Sequence, residues 1–171
     1  ERHGQNAVIG LKDKDLKQIM NSNYIDMNDP VHKRKLVSTS YLGELSLNVS
    51  SKGVKTLEGN GFKLIAAQTA TGDKSDGYKG INRFGPVEAY QLFKDADTLQ
   101  QCCELLVELY QGKFPDGIQY IPWQDNFKVV KRTWKELLIT HMRLAYHERG
   151  SKDTLTPIER YFNDEFVLYT G

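Results

Sequence analysis

From Val37 onward the apolar positions alternate with polar ones, and the spacing is that of strands. In "LGELSLNV" the residues Leu45, Leu47 and Val49 stand between polar neighbours, the period of two that gives a strand one covered face. "SSKG" reads as a turn and "VKTLE" as the returning strand, after which Gly59-Asn60-Gly61 turns the chain again. "FKLIAAQTA" is a denser apolar run, suited to a central strand. "YKGINRF" and "VEAYQLF", on either side of Pro86, read as further strands, and "DGIQYIPW" as another interrupted by Pro122.

Elsewhere the period lengthens to three and four. Leu99, Cys102, Cys103, Leu106, Leu109 and Tyr110 form one face of a helix, with Asp97 as its cap, Gln100 completing a capping box and Gly112 ending it. A second helix is predicted over 128–149, with Val130, Trp134, Leu137, Leu138, His141, Leu144 and Ala145 as its apolar stripe. The tail adds a short helical "PIERYF" and a last strand "EFVLYT". Ahead of Val37 the chain is polar and interrupted: a short helix over about 13–20, the turn-rich "NSNYIDMNDP" and the basic "VHKRK". The pattern predicts an α+β fold, an antiparallel sheet packed by one amphipathic helix with a helical C-terminal extension. Its parts are a polar N-terminal arm (1–36), an α+β domain (37–127), and a C-terminal helix and tail packed on it (128–171).

Composition narrows the function classes. With 171 residues the chain can bury a core without staples. A net charge of +1 means that affinity for a polyanion has to come from local clustering. No apolar run approaches the ~20 residues of a membrane helix, so no membrane partner is predicted. The sequence starts at Glu1 with no signal-peptide pattern, which reads as a portion of a longer protein. Cys102 and Cys103 are adjacent and poorly placed to bridge each other, which suits an intracellular setting, nuclear or cytoplasmic. Asn48-Val49-Ser50 matches a glycosylation sequon only formally. His141 and His147 are six apart and face different ways, His3 and His32 lie in the arm, and no set of residues has metal-ligand spacing, so neither metal nor cofactor is expected.

Between residues 62 and 113 the order of elements resembles the WGR domain of DNA-dependent poly(ADP-ribose) polymerases. There a strand like "FKLIAAQ" precedes a loop and a strand carrying Trp-Gly-Arg-Val-Gly, and a further strand and an amphipathic helix shaped like "CCELLVELYQGK" follow. Ile81-Asn82-Arg83-Phe84-Gly85 keeps the arginine and the final glycine, while Ile81 replaces the Trp that the family sets against the nucleic-acid end. The resemblance implies a regulatory binding module; nothing in the chain matches the family's catalytic domain.

Two groups of residues are candidates for contact with nucleic acid. Arg83, with Lys79 and Tyr78 nearby, offers a guanidinium, an ammonium and a ring to phosphate and base. Lys128, Lys131, Arg132 and Lys135 lie at the start of the last predicted helix, where spacings of three and four gather them on one side away from Val130 and Trp134. Lys74-Ser75-Asp76-Gly77 has the form of a nucleotidyltransferase nucleophile, but no later strand supplies the further lysines and carboxylates that such chemistry needs. It reads as a loop turning at Gly77. Both cysteines fall on or beside the apolar face, where packing explains them better than nucleophilic chemistry, and Trp123 and Trp134 read as core or junction residues. The prediction is therefore a non-catalytic nucleic-acid-binding module, for a DNA end or single strand, with DNA favoured over RNA and other domains of a parent protein as further partners. The alternatives are a protein-interaction scaffold and, below it, a nucleotidyltransferase fragment.

Overall fold

The computed structural model describes residues 8–12, 14–19, 21–27, 36–73, 77–120, 128–146 and 155–163. The basic run 31–35, Lys74, Asp76, Pro122, Trp123, His147, His3, His32 and the "EFVLYT" segment lie outside them. The class is α+β, with helices in the core and short sheets around it.

Strands β1 (Val8–Leu11), β2 (Asn23–Asp26) and β3 (Leu36–Ser38) form the first sheet, β1 and β2 parallel and β2 and β3 antiparallel. The predicted helix near residue 13 is a single 3₁₀ segment, Lys14–Gln18. This stretch is more than a polar arm, because Leu11, Gln18 and Tyr24 are buried. Strands β4 (Leu45–Val49) and β5 (Lys55–Gly59) pair as the hairpin that the alternation predicts. Leu45, Leu47 and Leu57 share one face of it, and only the base of that face is covered, Leu45 and Leu57 lying against the core.

"FKLIAAQTA" is not a strand. It lies in helix α1 (Gly61–Thr71), which is buried on nearly every side. A continuous apolar run fits a buried helix as well as a central strand; Ala66, Ala67 and Ala70, strong helix formers that let neighbouring helices approach, favour the helix. "VEAYQLF" is likewise helical, as α2 (Pro86–Phe93), with Pro at the first turn and the Glu88 carboxylate accepting from the Gly85 N–H at 3.0 Å. Two of the segments that match strands in the WGR resemblance are thus helices, and the motif segment itself, Ile81 to Gly85, is a turn rather than a strand.

Helix α3 (Leu99–Lys113) keeps the predicted face, burying Cys102, Cys103, Leu106 and Tyr110. Its cap is Thr98, whose hydroxyl accepts from the Gln101 N–H at 3.1 Å, one residue later than Asp97. Gly112 lies inside the last turn. Helix α4 (Trp134–Ala145) starts six residues later than predicted, because Thr133 and Glu136 cap each other's backbone N–H groups. The β-branched Val129-Val130 run before it enters strand β9 (Val130–Arg132), paired with β8 (Ile118–Tyr120). On this helix Met142 is buried and Leu144 is 51% exposed, so Met142 and not Leu144 belongs to the apolar stripe. Helix α5 (Pro157–Phe162) forms as expected, capped by Thr156.

Helix α1 packs against α2, α3 and α4. Phe62 on α1 and Phe93, Leu106, Leu138 and Met142 around it are fully buried, each contributing about 1.5–3 kcal/mol of burial.

Candidate nucleic-acid interface

After α1 the chain reverses through strands β6 (Gly72–Asp73) and β7 (Tyr78–Lys79). Gly72 has φ 74°, and a Cβ there would lie 2.2 Å from the Gly80 backbone nitrogen. A Cβ on Gly80 would in turn lie 2.2 Å from the Thr71 carbonyl carbon. Only two glycines allow the strands to cross this closely. Gly77, φ 75°, turns the loop between them, as the sequence suggests; Lys74 and Asp76 lie outside the described residues.

Tyr78 and Lys79 point in opposite directions, as neighbours in a strand do. Tyr78 is half-buried, its hydroxyl donating to the Gln68 carbonyl at 3.2 Å and its ring 6.4 Å from that of His141. Its hydroxyl is thus engaged inside the fold, which the sequence does not indicate. Lys79 is exposed.

The next turn holds Arg83. It is a β-turn over 81–84, closed by the Phe84 N–H donating to the Ile81 carbonyl at 3.1 Å, with Ile81 buried beneath it. Arg83 occupies the third position with φ 58°, where turns that need a positive φ usually take Gly or Asn. The left-handed backbone costs a side-chain-bearing residue about 1 kcal/mol. The guanidinium is nevertheless exposed and, among the described residues, in no ion pair. The adjoining N-terminus of α2 is already filled by Glu88 and offers no anion cradle.

The four cations of the second group do not share a helix face. Lys128 precedes β9, Lys131 and Arg132 are in it, and Lys135 is in the first turn of α4. Strand alternation puts Lys131 and Arg132 on opposite faces. Arg132 donates from Nε to the Tyr120 hydroxyl at 3.1 Å, and that bond, with the phenol's electrostatics, raises the guanidinium's pKa. Lys135 lies over the Phe162 ring, 4.2 Å from its centroid, a cation–π contact. Lys128 and Lys131 are exposed and in no ion pair among the described residues.

A polar cluster that the sequence pattern does not reveal joins these regions. The Tyr110 hydroxyl donates to the Thr69 carbonyl at 2.8 Å and lies 2.7 Å from His141 Nδ1. With its one hydrogen spent on a carbonyl, the phenol accepts from the ring, so Nδ1 carries the proton. Burial lowers the pKa of His141 and pushes that of Tyr110 well up, keeping both neutral. Two tyrosines and the Ile81 N–H, 2.8 Å from the Ala70 carbonyl, thus satisfy the last carbonyls of α1. Tyr110 and His141 both fall in the predicted apolar stripes; the one signal in the sequence is that a buried phenol or imidazole must find a hydrogen-bond partner.

Cys102 and Cys103 are fully buried in the core. Burial pushes the Cys102 thiol up to about 12 and raises Cys103 as well, so neither is a thiolate nucleophile. Among the described residues no group of three or more His, Cys, Asp or Glu could hold a metal ion, and no helix is long and apolar enough to cross a membrane. No protein-family model matches the chain, and neither a curated protein nor a solved structure matches it.

Proposed function

We propose that this chain is a non-catalytic module that binds the phosphate backbone of nucleic acid through Arg83, Lys79, Lys128 and Lys131. The observation that carries the reading is Arg83, a long cationic side chain kept at a left-handed turn position where glycine would relieve strain. Backbone strain concentrates where a side chain must be presented, and this one is presented to solvent without an acidic partner. Exposed Lys79, two residues from the buried Ile81, stands on the same short segment. The reading keeps the arginine and the final glycine of the WGR motif without its sheet. A nuclear or cytoplasmic setting, with two free thiols, goes with such a ligand.

Replacement of Arg83 by glycine and by alanine tests it. Arg83→Gly removes strain and charge together, so the melting temperature holds or rises while affinity for a fluorescein-labelled oligonucleotide falls several-fold. Arg83→Ala removes the charge and keeps the strain. The slope of log affinity against log salt should shrink by about 0.7–0.9 for each phosphate that the variant no longer neutralises. Affinity unchanged in both variants would sink the proposal. A protein partner is the second reading, favoured by Val49 and Val54, 60% and 57% exposed at the tip of the β4–β5 hairpin; indifference to every polyanion at low salt would decide for it.

A further inference from the structure

We infer that the β8–β9 ribbon is a reader of single-stranded nucleic acid, with the Tyr120 ring as a stacking platform for one base and the Arg132 guanidinium as the clamp for its phosphate. This rests on the binding reading above and adds the form of the ligand.

The register pairs Ile118 with Arg132, Gln119 with Lys131 and Tyr120 with Val130. Partners across a ladder share a face, so Ile118, Tyr120, Val130 and Arg132 are together and Gln119 and Lys131 face the other way. The shared face is covered at its inner end, where Ile118 packs on the core, and open at its outer end, where Tyr120 is 39% exposed. The bond from Arg132 Nε to the Tyr120 hydroxyl ties the two side chains to each other. A ring held in this way gives up little rotamer freedom when a base stacks on it. The Nε–H is spent on the phenol, which leaves the terminal guanidinium N–H groups for a phosphate. Glu136, the carboxylate that acts electrostatically on Arg132, is itself occupied by the Thr133 N–H and hydroxyl. Exposed Lys128 precedes the same strand and adds positive charge near the pair, while Lys131 carries its charge on the opposite face.

In a duplex both faces of a base are taken by its neighbours, and freeing one costs a few kcal/mol. In a single strand they are open, and stacking on an aromatic side chain is sequence-tolerant. A platform of this kind therefore favours the unpaired strand, DNA or RNA.

The test titrates the whole chain with a labelled oligothymidylate, an oligouridylate and a duplex of equal length, by fluorescence anisotropy at two salt concentrations. The single strands should bind more tightly than the duplex. Tyr120→Ala should weaken single-strand binding by about five- to 150-fold and leave duplex binding within about twofold. Tyr120→Phe, which keeps the ring, should preserve the preference. A thermal melt checks that each variant is folded. Binding that depends on Arg83 but shows no preference for single strands, or is indifferent to Tyr120→Ala, overturns this inference and leaves the binding reading standing. Absence of binding to all three ligands overturns both.

Discussion

The helices and the sheets of this protein are built on opposite terms. Helix α1 buries nearly its whole surface against α2, α3 and α4. The β4–β5 and β8–β9 pairs have two strands each, a size only marginally stable by itself, and both carry exposed side chains over half of their length or more. The core holds Phe62, Leu106, Leu138 and Met142 fully buried; the turns and edge strands hold Arg83, Lys79, Lys128 and Lys131. Residues that make the chain fold therefore lie mainly in the helices and residues available to a ligand in the turns and short strands, and exposed segments can vary in chemistry without disturbing the packing beneath them.

Substitutions can test this division, beginning in the core. Leu138→Ala, at a fully buried position, should lose about 2–5 kcal/mol, read from the urea midpoint. Tyr110→Phe should cost about 1–3 kcal/mol, because the Thr69 carbonyl and the His141 Nδ1–H both lose their partner. An equal loss at the tip of the hairpin would erase the contrast between core and periphery.

His141 sharpens the comparison through pH. Burial holds its pKa below the ordinary value, so the unfolded chain takes up the proton first. Its contribution is full above the unfolded pKa of about 6.5, and is lost as pH falls from there through the folded value, with a slope below about 1.4 kcal/mol per pH unit. Melting temperatures between pH 8 and 5 should show this fall, and His141→Asn, which keeps an N–H for the Tyr110 phenol, should flatten it. At the small end, Val54→Ser, at a position 57% exposed, should change stability by less than about 0.5 kcal/mol.

How much of this is legible in the sequence depends on whether one face of an element meets water. The β4–β5 hairpin and α3 are legible because each has a dry side and a wet side, which writes a period of two or of 3.6 into the residues. Helix α1 has no wet side and therefore no period, and its alanines are the only remaining signal. The start of α4 is hidden because "KVVKR" continues a helical charge pattern; the Thr133–Glu136 box and the paired valines that overrule it act locally. Arg83 and the lysines can be named from sequence, but not which of them are already engaged. The Arg132–Tyr120 and Lys135–Phe162 contacts join residues 12 and 27 apart, a distance that no local pattern spans.

The all-round burial of α1 also bears on how the chain is made. At synthesis rates of about 5–20 residues per second, α4 emerges roughly 4–15 s after α1. For that interval the apolar surface destined for α4 has no mate, and a helix of 11 residues is too short to persist in water without tertiary support. The nascent segment around Phe62 and Ile65 then presents bare apolar surface to chaperones and to aggregation, and its folding waits for the C-terminal helices.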